Sequence, residues 1–482
     1  MIKSSETTTK RLDRVFNPRS VAVIGDKQAL GYMWLRSLSH FKGKVYSVQI
    51  DPNELPGIAE LGVKNYPNLN DIPGPVDYVI AAVPRTVAPR IVKDCIQKEV
   101  GGVCFFTSGF AETNTEEGIR LQKTITELAN EAGLLLIGPN CVGVYNPKIG
   151  LRHNPIQAYG EGGSVGFIAQ SGTHATLFTM VGARHGIKFS KSVSYGNAAV
   201  LDSTDYLDYL KADDDTEIIG IYVEAVKDGR RFFRSLREVS TRKHVVIWRG
   251  GESEEGARAT ASHTGALAQS STVWQALTRQ CGAIKVENID EMIDTVKGLL
   301  YIKPSRGNRV GLIAMSGGQS VIIADTFAKA GLKVPLLSKK SYERLAGFFN
   351  IIGGSYRNPF DISSSFLMSD NALHNLSDML DVMDKDPNID NIVLELFTII
   401  SPFSKNKETP DPLLEIISEF RHNSRKPFMV IVTAAQNERL ALEIRDMLME
   451  KEIPSYPNFE RGARTLKRLV DYYRLREGQS LN

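Results

Sequence analysis

The sequence predicts an α/β protein of three successive parallel-sheet units, the last two being copies of one another. Three observations carry this. Short β-branched apolar runs alternate with longer amphipathic stretches, as parallel strands covered by helices require. Two distant segments share a strand, a Ser-Gly turn and a helix of equal length. The length, 482 residues, exceeds one ordinary core and leaves room for about two to four domains.

The first unit, residues 1–147, holds five apolar runs that read as strands: SVAVIG (20–25), KVYSVQI (44–50), DYVIAAVP (77–84), GGVCFFTSGF (101–110) and LLLIGPN (134–140). An amphipathic helix over 115–133 joins the last two, and the turn-rich YNPKIG (145–150) closes the unit. The second unit, 148–303, opens with GSVGFIAQSG (163–172), and the third, 304–482, with NRVGLIAMSGG (308–318). Val165 matches Val310, Ser171-Gly172 matches Ser316-Gly317 and Gly186 matches Gly331, each 145 residues apart (310−165, 316−171, 331−186). IIGIYVEAV (218–226) parallels NIVLELFTI (391–399), which sets Glu224 against Glu395, and HVVIWRG (244–250) parallels PFMVIVTA (427–434). The copies differ after that strand. The third unit runs almost directly into a helix around 438–451, whereas the second carries a longer polar loop, GESEEGARATASHTGALAQ (251–269), with His263 inside it. The carboxyl ends of strands are where open α/β sheets bind ligands.

Hydrophobic content of 42% and charged content of 23% are those of a globular protein. A net charge of +3, without any basic run interleaved with aromatics, argues against nucleic-acid or membrane-surface partners. No apolar run is long enough to span a bilayer, and the polar start MIKSSETTTKRLDR lacks a signal-peptide core, so a cytoplasmic protein is expected. The four cysteines (95, 104, 141 and 281) show no metal-ligand spacing.

Four places could carry chemistry. Gly25, directly after the first strand, and Gly31 could let backbone approach a phosphate, with Lys27 and Gln28 in reach; equally, the glycines could serve turn geometry alone. In AQSGTHAT (169–176), Ser171, Gly172 and Thr173 aim N–H groups and hydroxyls at one point, which suits an anion or a plain helix cap. His174 reads there as a surface or interdomain residue. In SHTG (262–265), His263 stands among small residues, and a neutral imidazole is a competent nucleophile near pH 7. Glu224 ends a buried strand, either orienting that imidazole or serving the strand end structurally.

With these residues in place, the chain resembles the alpha subunit of ADP-forming acetyl-CoA synthetases and, more distantly, of succinyl-CoA synthetase. The likeness runs from about Asn17 onward through NPRSVAVIG, AAVP (81–84), SGFAE (108–112), GPNCVGVYNP (138–147), AQSG (169–172), EEGARATASHTGALA (254–268), MSGG (315–318) and NPFD (358–361). The resemblance implies a Rossmann-like CoA-binding domain followed by two flavodoxin-like domains. It implies that His263 is phosphorylated in turn by acyl phosphate and nucleoside triphosphate, that Ser171, Gly172 and Thr173 hold the phosphate, and that Glu224 steadies the imidazole. CoA would lie across Gly25, Lys27, Gln28 and Gly31, past Val83-Pro84 and Ser108-Gly109, with its thiol near Asn140 and Cys141. The implied reaction joins a small carboxylic acid to CoA with cleavage of ATP or GTP. ATP/ADP and Mg2+ would sit on a separate ATP-grasp beta subunit, in an α2β2 assembly. Asp26, Glu252 and Gln269 depart from the family's pattern. A CoA-binding regulatory or acyltransferase-associated protein without ligase activity is the rival reading, and the intact SHTG argues against it. A nicotinamide oxidoreductase fits poorly, since no GxGxxG follows the first strand.

Overall fold

Six parallel strands form the first sheet: β1 (Ser20–Ile24), β2 (Lys44–Val48), β3 (Lys64–Tyr66), β4 (Tyr78–Ala81), β5 (Gly102–Phe105) and β6 (Leu136–Ile137). Their order is β3-β2-β1-β4-β5-β6. This is the doubly wound order whose crevice opens where the chain reverses direction across the sheet, between β1 and β4. β1 and β4 are buried at every position, as unbroken apolar runs covered on both faces must be. Thr115 caps the helix Glu116–Ala132 by accepting from the Gly118 N–H at 3.2 Å, and Gly133 ends it at φ 67°. The edge strand β3 is additional to the five strands expected. This computed structural model describes residues 5–264, 270–349, 351, 353–362, 371–397, 411–434 and 437–480.

The second sheet contains β7 (Gly143–Tyr145), β8 (Val165–Ala169), β9 (Phe189–Ser194), β10 (Ile218–Val223), β11 (His244–Arg249) and β12 (Ile284–Val286), in the order β12-β11-β10-β8-β9-β7. Only β7 is antiparallel, pairing with β9, so the chain changes sheets just ahead of residue 147. The third sheet is wholly parallel: β13 (Val310–Ala314), β14 (Phe360–Asp361), β15 (Asn391–Phe397), β16 (Phe428–Thr433) and β17 (Ser455–Tyr456), ordered β14-β13-β15-β16-β17. Leaving β7 aside, both sheets have the flavodoxin order 2-1-3-4-5. The first two sheets lie in one compact unit, Met1–Met292, and the third in another, Ile293–Asn482.

The duplication extends to local detail. Ser171 and Ser316 each cap a helix of 13 residues, accepting from the N–H of His174 and Gln319 respectively. One expected equivalence is out of register. β10 pairs with β8 through Tyr222 opposite Ala169, and β15 with β13 through Leu394 opposite Ile313. With the 145-residue offset, Leu394 therefore corresponds to Ile221, and Glu395 to Tyr222 rather than to Glu224. A two-residue slip keeps a side chain on the same face of a strand, which is why sequence pattern alone does not expose it.

The segment specific to the second copy is also not the loop expected. Glu254–Thr264 is a helix. Glu254 and Glu255 complement its positive end, Arg258 pairs back to both at 3.0 and 3.4 Å, and the Ser253 hydroxyl accepts from the Gly256 N–H at 3.0 Å.

In the unit Ile293–Asn482, a carboxylate and an ammonium are buried together, with a partly exposed guanidinium at their edge. Asp294, 2% exposed, accepts from Arg461 at 2.6 and 3.0 Å and lies 3.7 Å from Lys297. Burial pulls the Lys297 ammonium down to about 8, with Asp294 opposing. Asp294→Ala leaves the buried Lys297 ammonium without its counter-ion, so we expect a loss of about 3–5 kcal/mol, read as a lower urea midpoint. An unchanged midpoint would refute that account of the cluster.

Candidate active site

The turn after β1 is built on Gly25, at φ 80°. A side chain there would meet Val83 Cγ1 at 2.8 Å and the Ala82 carbonyl at 2.9 Å. Gly25 and Val83 line a cavity of about 110 Å³ at the β1/β4 crevice, together with Gln49, Asn68 and Arg90. Asp26 is buried beside it, its carboxylate accepting from the N–H groups of Lys27 (3.1 Å) and Leu35 (2.9 Å). Burial raises its pKa, against those hydrogen bonds. The start of the helix Met33–Ser37 is thus capped by the chain's own carboxylate. Lys27, Gln28 and Gly31 are exposed, with the Gln28 N–H bound to Glu54 at 2.8 Å.

Pro84 follows the end of β4, and Ser108 and Gly109 follow the end of the neighbouring β5. The Thr107 hydroxyl donates to the Val83 carbonyl at 2.6 Å, and Arg85 donates to the Gly109 carbonyl at 2.6 Å. Glu112 takes the Gly109 and Phe110 N–H groups at 2.5 and 3.1 Å and also accepts from the Asn197 amide at 2.5 Å. Asn197, whose amide also reaches Gln122 at 2.9 Å, ties this corner to the end of β9.

A cavity of about 430 Å³ joins the two halves of the expected site. Asn140, Cys141, Val142 and Phe106 line it from the first sheet's side; Gln170, Ser171, Gly172, Thr173, Thr176 and Leu177 line it from the start of the helix Gly172–Arg184. Gly196 closes the wall so tightly that a Cβ there would sit 2.3 Å from the carbonyl oxygens of Pro139 and Asn140. The N–H groups of Asn197 and Ala199 bind the carbonyls of Pro139 and Gly138 at 3.0 and 2.9 Å. The first-turn N–H groups of a helix have no partner within the helix and suit an anion. Ser171 meanwhile also caps, its hydroxyl 3.3 Å from the His174 nitrogen. Cys141 Sγ lies 3.5 Å from Cys104 Sγ, and burial with that neighbour pushes its thiol well up, so it stays protonated.

Glu224 lies behind this cavity, 8% exposed. Its N–H and that of Ala225 donate to Gln170 Oε1 at 2.9 and 3.2 Å, and the Tyr222 hydroxyl donates to its carboxylate at 3.2 Å. His263 falls in the last turn of Glu254–Thr264; its side chain, like Gln269, lies outside the described residues. That helix packs alongside the turn Ala111–Thr113, which carries Glu112. Glu252 pairs with Lys285 at 2.8 Å. The structure thus gathers Asn140, Cys141 and Ser171–Thr173 in one cavity, places Gly25 and Val83 in another, and leaves Lys27, Gln28, Gly31, Pro84, Ser108 and Gly109 outside both. Sequence reasoning gave no role to Gln170 or Asn197, whose partners are distant in the chain, or to Tyr222, whose ring contacts are with His174 and Trp248.

Residues 19–147 match the profile of a CoA binding domain, and residues 162–299 that of a succinyl-CoA ligase like flavodoxin domain. The Pyrococcus furiosus acetate–CoA ligase [ADP-forming] II subunit alpha is 34% identical over 465 residues, 95% of this chain and 97% of that one. The chain belongs to the family of NDP-forming acyl-CoA synthetase alpha subunits. A dinucleotide-forming acetyl-coenzyme A synthetase 1 from Ca. Korarchaeum cryptofilum, solved with phosphate and ADP, superposes with a TM-score of 0.81 at 29% identity, covering 98% of this chain and 99% of that one. The Archaeoglobus fulgidus acetate–CoA ligase [ADP-forming] I is 35% identical over 390 residues, 80% of this alpha subunit but only 55% of that relative. This alpha subunit is therefore part of an NDP-forming acid–CoA ligase with a CoA-binding domain. Among the described residues no helix is long and apolar enough to cross a membrane.

Proposed function

We propose that this alpha subunit brings CoA and an acyl phosphate together in the 430 Å³ cavity and carries phosphate on His263. The observation supporting this is that one cavity contains both the Asn140–Cys141 turn and the Ser171–Thr173 turn. In the ligase direction, a nucleoside triphosphate phosphorylates His263, and the substrate carboxylate takes that phosphate to form acyl phosphate. The CoA thiolate then attacks the acyl carbon, and inorganic phosphate leaves. The N–H groups of Gly172 and Thr173, with the Ser171 hydroxyl, hold the phosphoryl oxygens, where charge-assisted hydrogen bonds are strongest. Glu224 accepts one imidazole N–H so that the other ring nitrogen attacks. CoA runs from the crevice at Gly25 and Val83 past Pro84, Ser108 and Gly109 to Asn140, with Lys27, Gln28 and Gly31 at its outer end. Asp26 occupies the helix start there, so the diphosphate relies on these neighbouring groups rather than on that helix.

We assign ATP/ADP and Mg2+ to a separate ATP-grasp beta subunit in an α2β2 cytoplasmic assembly, with one domain of this chain per sheet. The purified alpha subunit alone should show no ATP-dependent ligation of small carboxylic acids; adding the ATP-grasp subunit should restore it. Ligation by the alpha subunit alone, free of contaminating partner, would overturn this assignment.

A further inference from the structure

The duplication provides an internal comparison at the strand end behind the cavity. In the third sheet Glu395 is fully buried and points back into its own fold, accepting from the Met315 N–H at 3.0 Å and the Thr433 hydroxyl at 3.2 Å. In the second sheet the same register position is Tyr222, and the carboxylate stands two residues further on, at Glu224. Two residues along a strand keep the same face and advance about 6.7 Å toward its carboxyl end. The copy with the added His263 helix thus has its carboxylate one pleat repeat nearer the ligand cavity.

The vacated inner position is filled by three rings. The Tyr222 ring lies 4.4 Å from that of His174 and 4.6 Å from that of Trp248, and those two are 4.5 Å apart. By register, Trp248 corresponds to Ile431, and by the 145-residue offset His174 corresponds to Gln319. An aromatic cluster therefore stands where the third sheet has Glu395, Ile431 and Gln319. It leaves the Tyr222 hydroxyl bonded to Glu224 at 3.2 Å. Burial holds the Tyr222 phenol protonated, with Glu224 adding to the effect. Burial also lowers the His174 pKa, opposed by Glu224, so the ring is neutral and braces without competing for the carboxylate.

We infer that Tyr222 is a positioning residue for the phosphohistidine step, its braced ring fixing the Glu224 carboxylate that orients His263. This rests on the phosphate-carrier role proposed above for His263. The test is uptake of label from radiolabelled acetyl phosphate by the full chain, followed with time. Tyr222→Phe keeps the ring and removes only the hydroxyl. It should slow phosphorylation about ten- to a hundredfold, the usual range for a hydrogen bond to a charged group. It should also distribute phosphate over both ring nitrogens, seen by phosphorus NMR, while the CoA-induced melting shift stays unchanged. In a Glu224→Gln background the same change should cost less than about twofold, because Tyr222 acts through Glu224. A wild-type rate with a single phosphohistidine isomer in Tyr222→Phe would overturn the inference, as would an equal loss in the Glu224→Gln background. Label surviving in His263→Asn would overturn the reading beneath it as well. Label lost in His263→Asn alongside normal kinetics in Tyr222→Phe overturns the inference alone.

Discussion

His263→Asn is expected to abolish phosphoenzyme formation and ligation together while CoA still binds. Asparagine keeps much of the imidazole's size and some of its hydrogen bonding but has no nucleophilic ring nitrogen. Loss of a covalent carrier removes a step rather than slowing it, so ligation should fall by at least on the order of 10⁴-fold. In the wild type, acyl phosphate alone, or ATP with the partner subunit, should leave an acid-labile, base-stable phosphate on this residue. The assay is label retention after base treatment, followed by peptide mapping. Label retained in the variant would sink the proposed mechanism while leaving the family assignment untouched. A melting shift with CoA serves as the control for folding, since the crevice at Gly25 and Val83 lies on the first sheet, whereas His263 follows β11 of the second.

The second large effect is expected at Gly25→Val. The position has φ 80°, which a β-branched residue tolerates poorly, and its Cβ would stand 2.8 Å from Val83 Cγ1 and 2.9 Å from a backbone oxygen. The added methyls would also fill the crevice between β1 and β4. CoA should stabilise the wild type by about 2.7 kcal/mol at a hundredfold excess over Kd, and the variant should lose that gain almost entirely. Phosphate uptake from acyl phosphate should persist, because the Ser171–Thr173 turn belongs to a different sheet. A full CoA shift in Gly25→Val would place the cofactor elsewhere on the chain.

Much of this architecture was legible in the sequence because buried parallel strands leave unbroken apolar runs. SVAVI and VGFIA are buried at every residue and read directly as strands. β9 did not read so. Its sequence FSKSVS looks half polar, yet every position is buried, with Lys191 held by Asp213 at 2.6 Å and Ser190 by Thr216 at 2.6 Å. Those partners are supplied by tertiary structure and leave no local periodicity. The helix Ser5–Phe16 was hidden similarly, its buried side chains among the described residues being Leu12, Val15 and Phe16, against exposed Lys10, Asp13 and Arg14. His174 read as a surface or interdomain residue because the rings it packs against come from positions 222 and 248. At the site, the Ser-Gly-Thr turn stood out by composition, whereas the Gly-Pro-Asn-Cys turn entered only through the family resemblance. That they face one cavity depends on Gly196 and Asn197, which carry no motif of their own.

The chain's change of sheet at β7 constrains how this protein can recombine. β7 follows the last strand of the first sheet but forms the outer edge of the second, against β9. At the other end of the first unit, Phe16 stacks on Tyr209 at 4.4 Å, and the Tyr209 hydroxyl donates to Asp13 at 3.1 Å. A chimera joined at residue 147 would import a foreign β7 into the second sheet and a foreign Ser5–Phe16 helix against Ser203–Ala212. A crossover that deleted β7 would bare β9 as an unpaired edge, an invitation to intermolecular pairing. The two segments are laced together at both ends, so a functional exchange with a relative must move them as one block or match both seams.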